Sequence, residues 1–314
     1  MNIDKIIIDS FIKATERGAY GASLYKGKNN KIAADQAAVD EMRTELNKIN
    51  MTGKIVIGEG EMDKAPMLYI NEEVGTKVGD EYDIAVDPLE GTNFAAKNLP
   101  NAISVLAVTR KGNLLHAPDI YMDKIAIGEG FPKNLIDLDY SIEKNIKLMS
   151  EAKNIKPNKL TACILKRPRH DSITKSLISM GVKINFIEDG DVSGAISVAI
   201  PKLDVDIYIG TGGAPEGVLA AAALKCLNCQ MQTRLVYQDD EHKNKAKLLG
   251  IKHFDKKYNI DDMVKGDVIF CASGVTDGDL VKGIKNIDDS FESETFVLHK
   301  SSGTNKIVKN QVKK

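Results

Sequence analysis

What this chain lacks narrows its reading first. No apolar run approaches the ~20 residues that a membrane-spanning helix needs. The opening stretch, MNIDKIIIDSFIKATERGAY, is interrupted by Asp4, Asp9 and Glu16. No apolar segment with a small-residue cleavage site follows, so it does not read as a secretory signal. Repeats and low-complexity segments are absent. The formal net charge is only −1, so no global field draws the chain to nucleic acid or to an anionic membrane. Neither is expected as a partner. Arginine is scarce beside lysine, which makes two arginines placed close together worth attention. The four cysteines, Cys163, Cys226, Cys229 and Cys271, sit in otherwise apolar stretches. They suit a reducing compartment and thiols used as small core residues, and a cytoplasmic location is the natural reading. Cys226 and Cys229 form a single C-x-x-C with no second pair and no suitably spaced His, so packing is favoured over zinc or redox chemistry.

What is present is an ordinary folded composition. The 314 residues are 43% hydrophobic and 28% charged, enough for a sizeable core and for two domains or one large one. Residues 3–24 and 34–49 carry apolar residues at helical spacing. KIVIG (54–58) and DIAVD (83–87) read as strands. ISVLAVT (103–109), a turn at Lys111-Gly112-Asn113 and LLHAPDIYM suggest an antiparallel hairpin or meander. This half is expected to be α+β, helices on a mostly antiparallel sheet. From about residue 155 strands alternate with helices: TACIL (161–165), a helix at 170–180, KINFI (183–187), a helix at 191–199, DVDIYIG (204–210) and a helix at 215–227. That rhythm implies a parallel α/β layer. DVIFCASG (267–274) and ETFVLH (294–299) add strands, and the Lys-rich tail from 300 either frays or forms an edge strand. The expected division is 1–157 and 158–314.

The chemistry concentrates at strand ends. GEGEMDKAP (58–66) releases Glu59, Glu61 and Asp63 after the KIVI strand. Alone, this reads foremost as a solvated acidic loop. DIAVDPLEGT (83–92) does the same with Asp87 and Glu90. If the two strands are neighbours, Glu59, Asp87 and Glu90 converge, and such carboxylates repel unless a cation joins them. Oxygen donors of this kind suit Mg2+ or Mn2+ rather than zinc. Pro88 is expected to end the strand's hydrogen-bonding ladder, leaving the Leu89 carbonyl available. Gly91 permits a positive φ, and Thr92 offers a hydroxyl that can orient water. A Pro-Gly turn with Thr92 capping a helix is an equally weighted alternative for this segment alone.

Further along, GTGGAPEGVLAAAALKCL (210–227) sets glycines before an apolar helix with Glu216 in its first turn. The segment is neither a dinucleotide fingerprint nor a Walker loop. Helix-start electrostatics or a metal ligand beside a phosphate-binding turn both explain it. LKRPRHD (165–171) brings Arg167 and Arg169 together, either as a phosphate clamp or as a solvated pair. His170 beside them is read as helix-start decoration in preference to a base. EDGDVSGAI (188–196) offers Asp189 and Asp191 to sugar hydroxyls, or Asp191 as a helix cap. Tyr121 is core or a substrate contact.

Taken in order, IVIGEGEMDKAPMLYINEEVG, DIAVDPLEGT, HAPDIYM, RPRHD, the DGDV element and GTGGAPEGV resemble the class II fructose-1,6-bisphosphatases. These belong to the lithium-sensitive, metal-dependent sugar and inositol phosphatase superfamily. The resemblance runs from about residue 3 to about residue 300. It implies a layered α/β/α/β/α sandwich with the site between the halves, and hydrolysis of the 1-phosphate of fructose 1,6-bisphosphate with Mg2+ or Mn2+. The metal ligands it implies are Asp35, Glu59, Asp87, the Leu89 carbonyl, Glu90 and Glu216. Substrate contacts would be Glu90, Gly91, Thr92, Tyr121, Arg167, Arg169, Asp189, Asp191 and Gly213. Catalysis would fall to Thr92 with Glu59 or Asp63, and Lys31 would lie near the phosphate. The family often has Lys where Arg167 stands and Ile where Leu89 stands. A homodimer or homotetramer is expected. Alternatives are a sedoheptulose 1,7-bisphosphatase, an inositol-phosphate phosphatase or a non-catalytic sugar-phosphate-binding regulator.

Overall fold

The strands that carry the two acidic turns lie side by side and run the same way, and the fold is built outward from them. The computed structural model describes residues 2–60 and 67–314. In chain order the first segment holds α1 (Ile8–Ser23), α2 (Lys31–Leu46), β1 (Thr52–Ile57), β2 (Glu73–Val74), β3 (Glu81–Glu90), α3 (Thr92–Lys97) and β4 (Ile103–Arg110). The middle segment holds β5 (Tyr121–Ile127), α4 (Ile142–Lys153), β6 (Thr161–Leu165), α5 (Asp171–Ser179), β7 (Lys183–Ile187) and α6 (Asp191–Ile196). It continues with β8 (Ile207–Gly213), α7 (Ala214–Cys226), β9 (Gln230–Val236), α8 (Asp240–Leu248), β10 (Lys257–Asn259) and α9 (Ile260–Met263). The last segment is β11 (Val268–Gly274), β12 (Lys285–Ile287), β13 (Ser290–His299) and β14 (Thr304–Lys313).

Two compact units result, residues 1–116 with 264–314 and residues 117–263. This corrects the expected division at 157/158. The reason is long-range pairing: β11 lies between β4 and β13, so the last fifty residues complete the first sheet, ordered β12-β13-β11-β4-β3-β1-β2 with β14 on β13. The expected hairpin after β4 is corrected too. β4 pairs with β3 and β11, whereas β5 pairs with β8 and β9 in the other unit.

Among the described strands of the first unit, every strand–strand pairing is antiparallel except β1 with β3. The apolar stripe of α1 (Ile8, Phe11, Ile12) packs with Met42 and Leu46 of α2 onto Ile84, Val86, Leu106, Val108 and Ile269, all buried. Such burial contributes roughly 1.5–3 kcal/mol per large apolar side chain. The tail forms the edge strand β14, whose Lys306, Lys309 and Lys313 discourage further strand pairing.

In the second unit the sheet order is β10-β9-β5-β8-β6-β7. Only β7, β6 and β8 run parallel; β5, β9 and β10 are antiparallel, so the expected parallel layer is a mixed sheet. Ile125, Ile127, Ile207 and Ile209 pack with Ile146 and Met149 of α4 and Leu177 of α5. The alternate residues of β5, Met122 and Lys124, approach Gly217 of α7. Helices thus cover both faces of this sheet, and the chain is a mixed α/β protein with two mixed sheets. Among the described residues no helix is long and apolar enough to cross a membrane.

Candidate active site

In the first unit, β1 and β3 pair in parallel with Ile55 opposite Ile84 and Ile57 opposite Ala85. Glu59, just after β1, and Asp87, in the last part of β3, are therefore delivered toward the same end of the sheet. The Glu59 N–H donates to the Leu68 carbonyl at 2.9 Å, which fixes the start of its loop. Asp63 lies outside the described residues.

β3 does not end at Asp87, a correction to the expected role of Pro88. It runs on to Glu90 through a bulge. Asp87 opposes Val105 and Glu90 opposes Ile103, so Pro88 and Leu89 together face the single residue Ser104. Pro88 cannot donate to a ladder, which makes this the natural place to interrupt one. The geometric effect is large. Side chains alternate along a strand, so residues three apart point to opposite faces. One extra residue reverses that parity and brings Asp87 and Glu90 to the same side, their carboxylate oxygens within 4.8 Å. The Leu89 N–H donates to Asp87 Oδ1 at 3.1 Å and holds the bulge. Glu90 is buried and Asp87 partly exposed. Gly91 takes φ 83°, a left-handed conformation, and it is Gly91 rather than Thr92 that precedes α3. Thr92 is the first residue of that helix and partly exposed. Lys31 opens α2 and is exposed. Asp35, one turn on, is partly buried, and that burial raises its carboxyl above the ordinary range.

In the second unit, the glycine-rich segment is strand as far as Gly213: β8 pairs with β5, Met122 opposite Gly212 and Tyr121 opposite Gly213. The expected open phosphate-binding turn is therefore corrected to a strand end running straight into α7. Side chains crowd both glycines: a Cβ at Gly212 would fall 2.0 Å from Asp191 Oδ2, and one at Gly213 would fall 1.9 Å from Glu216 Oε2. Glu216 is partly exposed as a residue, but its Oε2 is buried and has no hydrogen-bond partner among the described residues. Burial raises its carboxyl above the ordinary range; the Lys124 charge opposes this and the Asp191 charge adds to it.

Asp191 is buried, 8% exposed, and bonded inward. One oxygen takes the ammonium of Lys124 and the other the hydroxyl of Tyr208, both themselves buried. Asp189 is partly exposed, with Oδ1 accepting the Gly190 N–H at 3.2 Å. Arg169 lies exposed with its guanidinium 4.7 Å over the Tyr121 ring, and Arg167 is partly exposed. Lys124 was not singled out from the sequence. The available signal was a lysine set among Ile and Met in YMDKIAI, on the apolar side of a strand.

Within the first unit, Asp87 and Glu90 offer carboxylate oxygens that a bulge places together, donors that fit a hard divalent cation. A guanidinium stacked on an aromatic ring suits a phosphate. Donors of these two kinds mark a metal-dependent phosphatase hydrolase.

Comparison with known proteins makes the class specific. The model of a family described as bacterial fructose-1,6-bisphosphatase, glpX-encoded, matches residues 5–312. The chain is 40% identical over 316 residues to the fructose-1,6-bisphosphatase class 2 of Haemophilus influenzae, covering 96% of this chain and 94% of that protein. It is 41% identical over 308 residues to fructose-1,6-bisphosphatase 1 class 2 of Escherichia coli, covering 94% and 91%. A Synechococcus protein named D-fructose 1,6-bisphosphatase class 2/sedoheptulose 1,7-bisphosphatase is 39% identical over 322 residues, covering 95% and 92%. The chain belongs to the class 2 fructose-1,6-bisphosphatase family.

Proposed function

We propose that this chain hydrolyses the 1-phosphate of fructose 1,6-bisphosphate to fructose 6-phosphate and inorganic phosphate, with Mg2+ or Mn2+ as its cation. Family membership supports the reaction. The observation that carries the chemistry is the bulge that sets Asp87 and Glu90 on one side of β3. Asp35, Glu59, Asp87, Glu90, Glu216 and the Leu89 carbonyl would hold the cation. When bound it supplies charge stabilisation for the phosphoryl group and for the leaving alkoxide.

The remaining work falls to side chains and peptide groups. The Thr92 hydroxyl orients the attacking water in line with the scissile bond, and Glu59 or Asp63 accepts its proton. Lys31 lies toward the phosphate undergoing transfer, and Gly91 lets the backbone come close to it. Arg167 and Arg169 hold the distal phosphate, Arg169 against Tyr121. Asp189 is the more open acceptor for sugar hydroxyls; Asp191 already has partners on both oxygens. The Gly213 N–H is the backbone donor assigned to the substrate.

A phosphate-release assay across sugar phosphates, with Mg2+, Mn2+ or excess EDTA, tests the reading. Turnover of fructose 1,6-bisphosphate that requires the cation is the expected outcome. Equal rates in EDTA would remove the metal from the proposal. Sedoheptulose 1,7-bisphosphate is a second reading, motivated by the name of the Synechococcus relative; a higher kcat/KM on that sugar would favour it. An inositol phosphate hydrolysed fastest would sink both. The cytoplasm is the proposed location, in keeping with four free cysteines. A homodimer or homotetramer is the proposed assembly, which light scattering on the purified protein would test.

A further inference from the structure

Arg169 is held in place, and the thing it grips is itself held by a buried histidine. The Arg169 Nε and Nη2 donate to the Thr211 carbonyl at 3.0 and 2.8 Å. With one face over Tyr121, this leaves the Nη1 side to meet an anion. The anchor is therefore the Thr211 peptide. Its N–H donates to His170 Nε2 at 2.8 Å, and the Thr211 hydroxyl donates to Asp123, its cross-strand partner on β5, at 2.5 Å.

His170 has its tautomer assigned by its neighbours. A backbone N–H can only donate, so Nε2 carries the lone pair. Nδ1 lies 2.6 Å from the Leu165 carbonyl, which can only accept, so Nδ1 carries the proton. The ring is 1% exposed and lies against Gly210, where a Cβ would come within 3.1 Å of Cε1. Its location explains its use. β6 and β8 pair only at Ala162 with Ile207 and Cys163 with Tyr208. Leu165 ends β6 and Thr211 lies further along β8, so the His170 ring spans the two strands where their ladder has stopped. Peptide directions alternate along a strand. The Gly213 N–H therefore opens on the same edge of β8 as the Thr211 N–H and carbonyl.

We propose that His170 is a positioning residue for substrate binding. As the neutral Nδ1–H tautomer it fastens Thr211 to the end of β6, and the Thr211 carbonyl with the Tyr121 ring then presents Arg169 to the distal phosphate of a sugar bisphosphate. The inference rests on the reading that Arg169 binds that phosphate, and the two are tested separately.

The experiment is steady-state kinetics of the metal-loaded enzyme on fructose 1,6-bisphosphate. Arg169→Ala tests the underlying reading: KM rises by about tenfold or more with kcat little changed. An unchanged KM in Arg169→Ala overturns that reading and the inference with it. Given the Arg169 effect, His170→Leu should raise KM by a similar factor with kcat retained. It should add little in the Arg169→Ala background, because both changes act through one contact. His170→Gln, whose amide oxygen can accept from the Thr211 N–H, should recover much of the loss. Wild-type KM in His170→Leu, a loss confined to kcat, or full additivity with Arg169→Ala each overturns the role of His170 while leaving that of Arg169 standing. If His170→Leu does not fold, His170→Gln kinetics and 15N resonances of the wild-type histidines decide. A protonated Nδ1 with an unprotonated Nε2 at His170 is expected, and the opposite tautomer overturns the proposal.

Discussion

The carboxylates of Asp87 and Glu90 lie within 4.8 Å of one another, on one side of a strand where regular alternation would set them on opposite faces. One extra residue in β3, introduced at Pro88 and Leu89 opposite Ser104, makes the difference. The strand supplies rigidity and the bulge supplies the aim. Like charges at this range disfavour each other's ionised form. A divalent cation between them would turn that repulsion into attraction, a pattern expected of ligands rather than of structural carboxylates.

That difference can be measured. Asp87→Asn and Glu90→Gln should each lower kcat by on the order of 100-fold or more at fixed Mn2+, and weaken Mn2+ binding measured by calorimetry. In EDTA the same variants should melt at or above the wild-type temperature, because a repulsion has been removed. Near-normal turnover in both, or a marked loss of stability without metal, would show these groups to be structural.

Gly213 gives a second, more selective probe. A Cβ there meets Glu216 Oε2 at 1.9 Å, the far end of a flexible side chain, so the fold can yield by moving the glutamate alone. Gly213→Ala should leave the melting temperature within a few degrees of wild type while lowering kcat nearly as far as Glu216→Gln. Combined, the two should not add. Full activity in Gly213→Ala would mean that Glu216 need not occupy its observed place.

Much of this was legible in the sequence, and what was not has a physical reason. TACIL and KINFI coincide residue for residue with β6 and β7, because short β-branched runs bounded by polar residues leave little choice of element. The acidic turns after KIVI and DIAVD were visible as chemistry, and the parallel pairing of β1 with β3 sets both turns at one end of the sheet. The bulge was not visible, since the parity of Asp87 and Glu90 depends on how many residues of β4 they face. The domain division was missed for a related reason: β11 pairs with β4 across more than a hundred and fifty residues, which no local pattern reports. The glycines after DVDIYIG suggest a turn, yet Gly212 and Gly213 stay in the ladder with β5.

Lys124 bears on stability more than its sequence context suggested. It is 1% exposed and its salt-bridge partner Asp191 is nearly as buried. Lys124→Met should destabilise the protein by about 3–5 kcal/mol, because it strands a buried carboxylate without its cation. Lys124→Met with Asp191→Asn should recover a large part of that loss, as both charges are then gone. Urea titrations of the two variants check this. A double variant no more stable than the single one would mean that packing, not charge, is what Lys124 contributes.

Acid stability should centre on Asp267, which ties together the two ends of the discontinuous unit. It accepts from the Ile3 N–H at 2.7 Å, the Ser301 N–H at 2.9 Å and the Ser301 hydroxyl at 2.8 Å, and pairs with His299 Nε2 at 3.0 Å. Burial alone would raise its carboxyl, but these partners outweigh burial and hold it below the ordinary range. A carboxyl lowered by folding binds its proton less readily in the native state than in the unfolded one. Its contribution is therefore fully present above the unfolded value near ~3.9 and lost as pH falls through the lower folded value. Asp267→Asn should lower stability at neutral pH by about 1.5–3 kcal/mol, the scale of one charged hydrogen bond. The wild-type advantage over the variant should then shrink as the solution is acidified below pH ~4. Urea unfolding of both proteins across that range, in EDTA so that cation release does not contribute, reads this difference directly. A gap between them that stays constant with pH would mean that Asp267 holds the termini by shape rather than by charge.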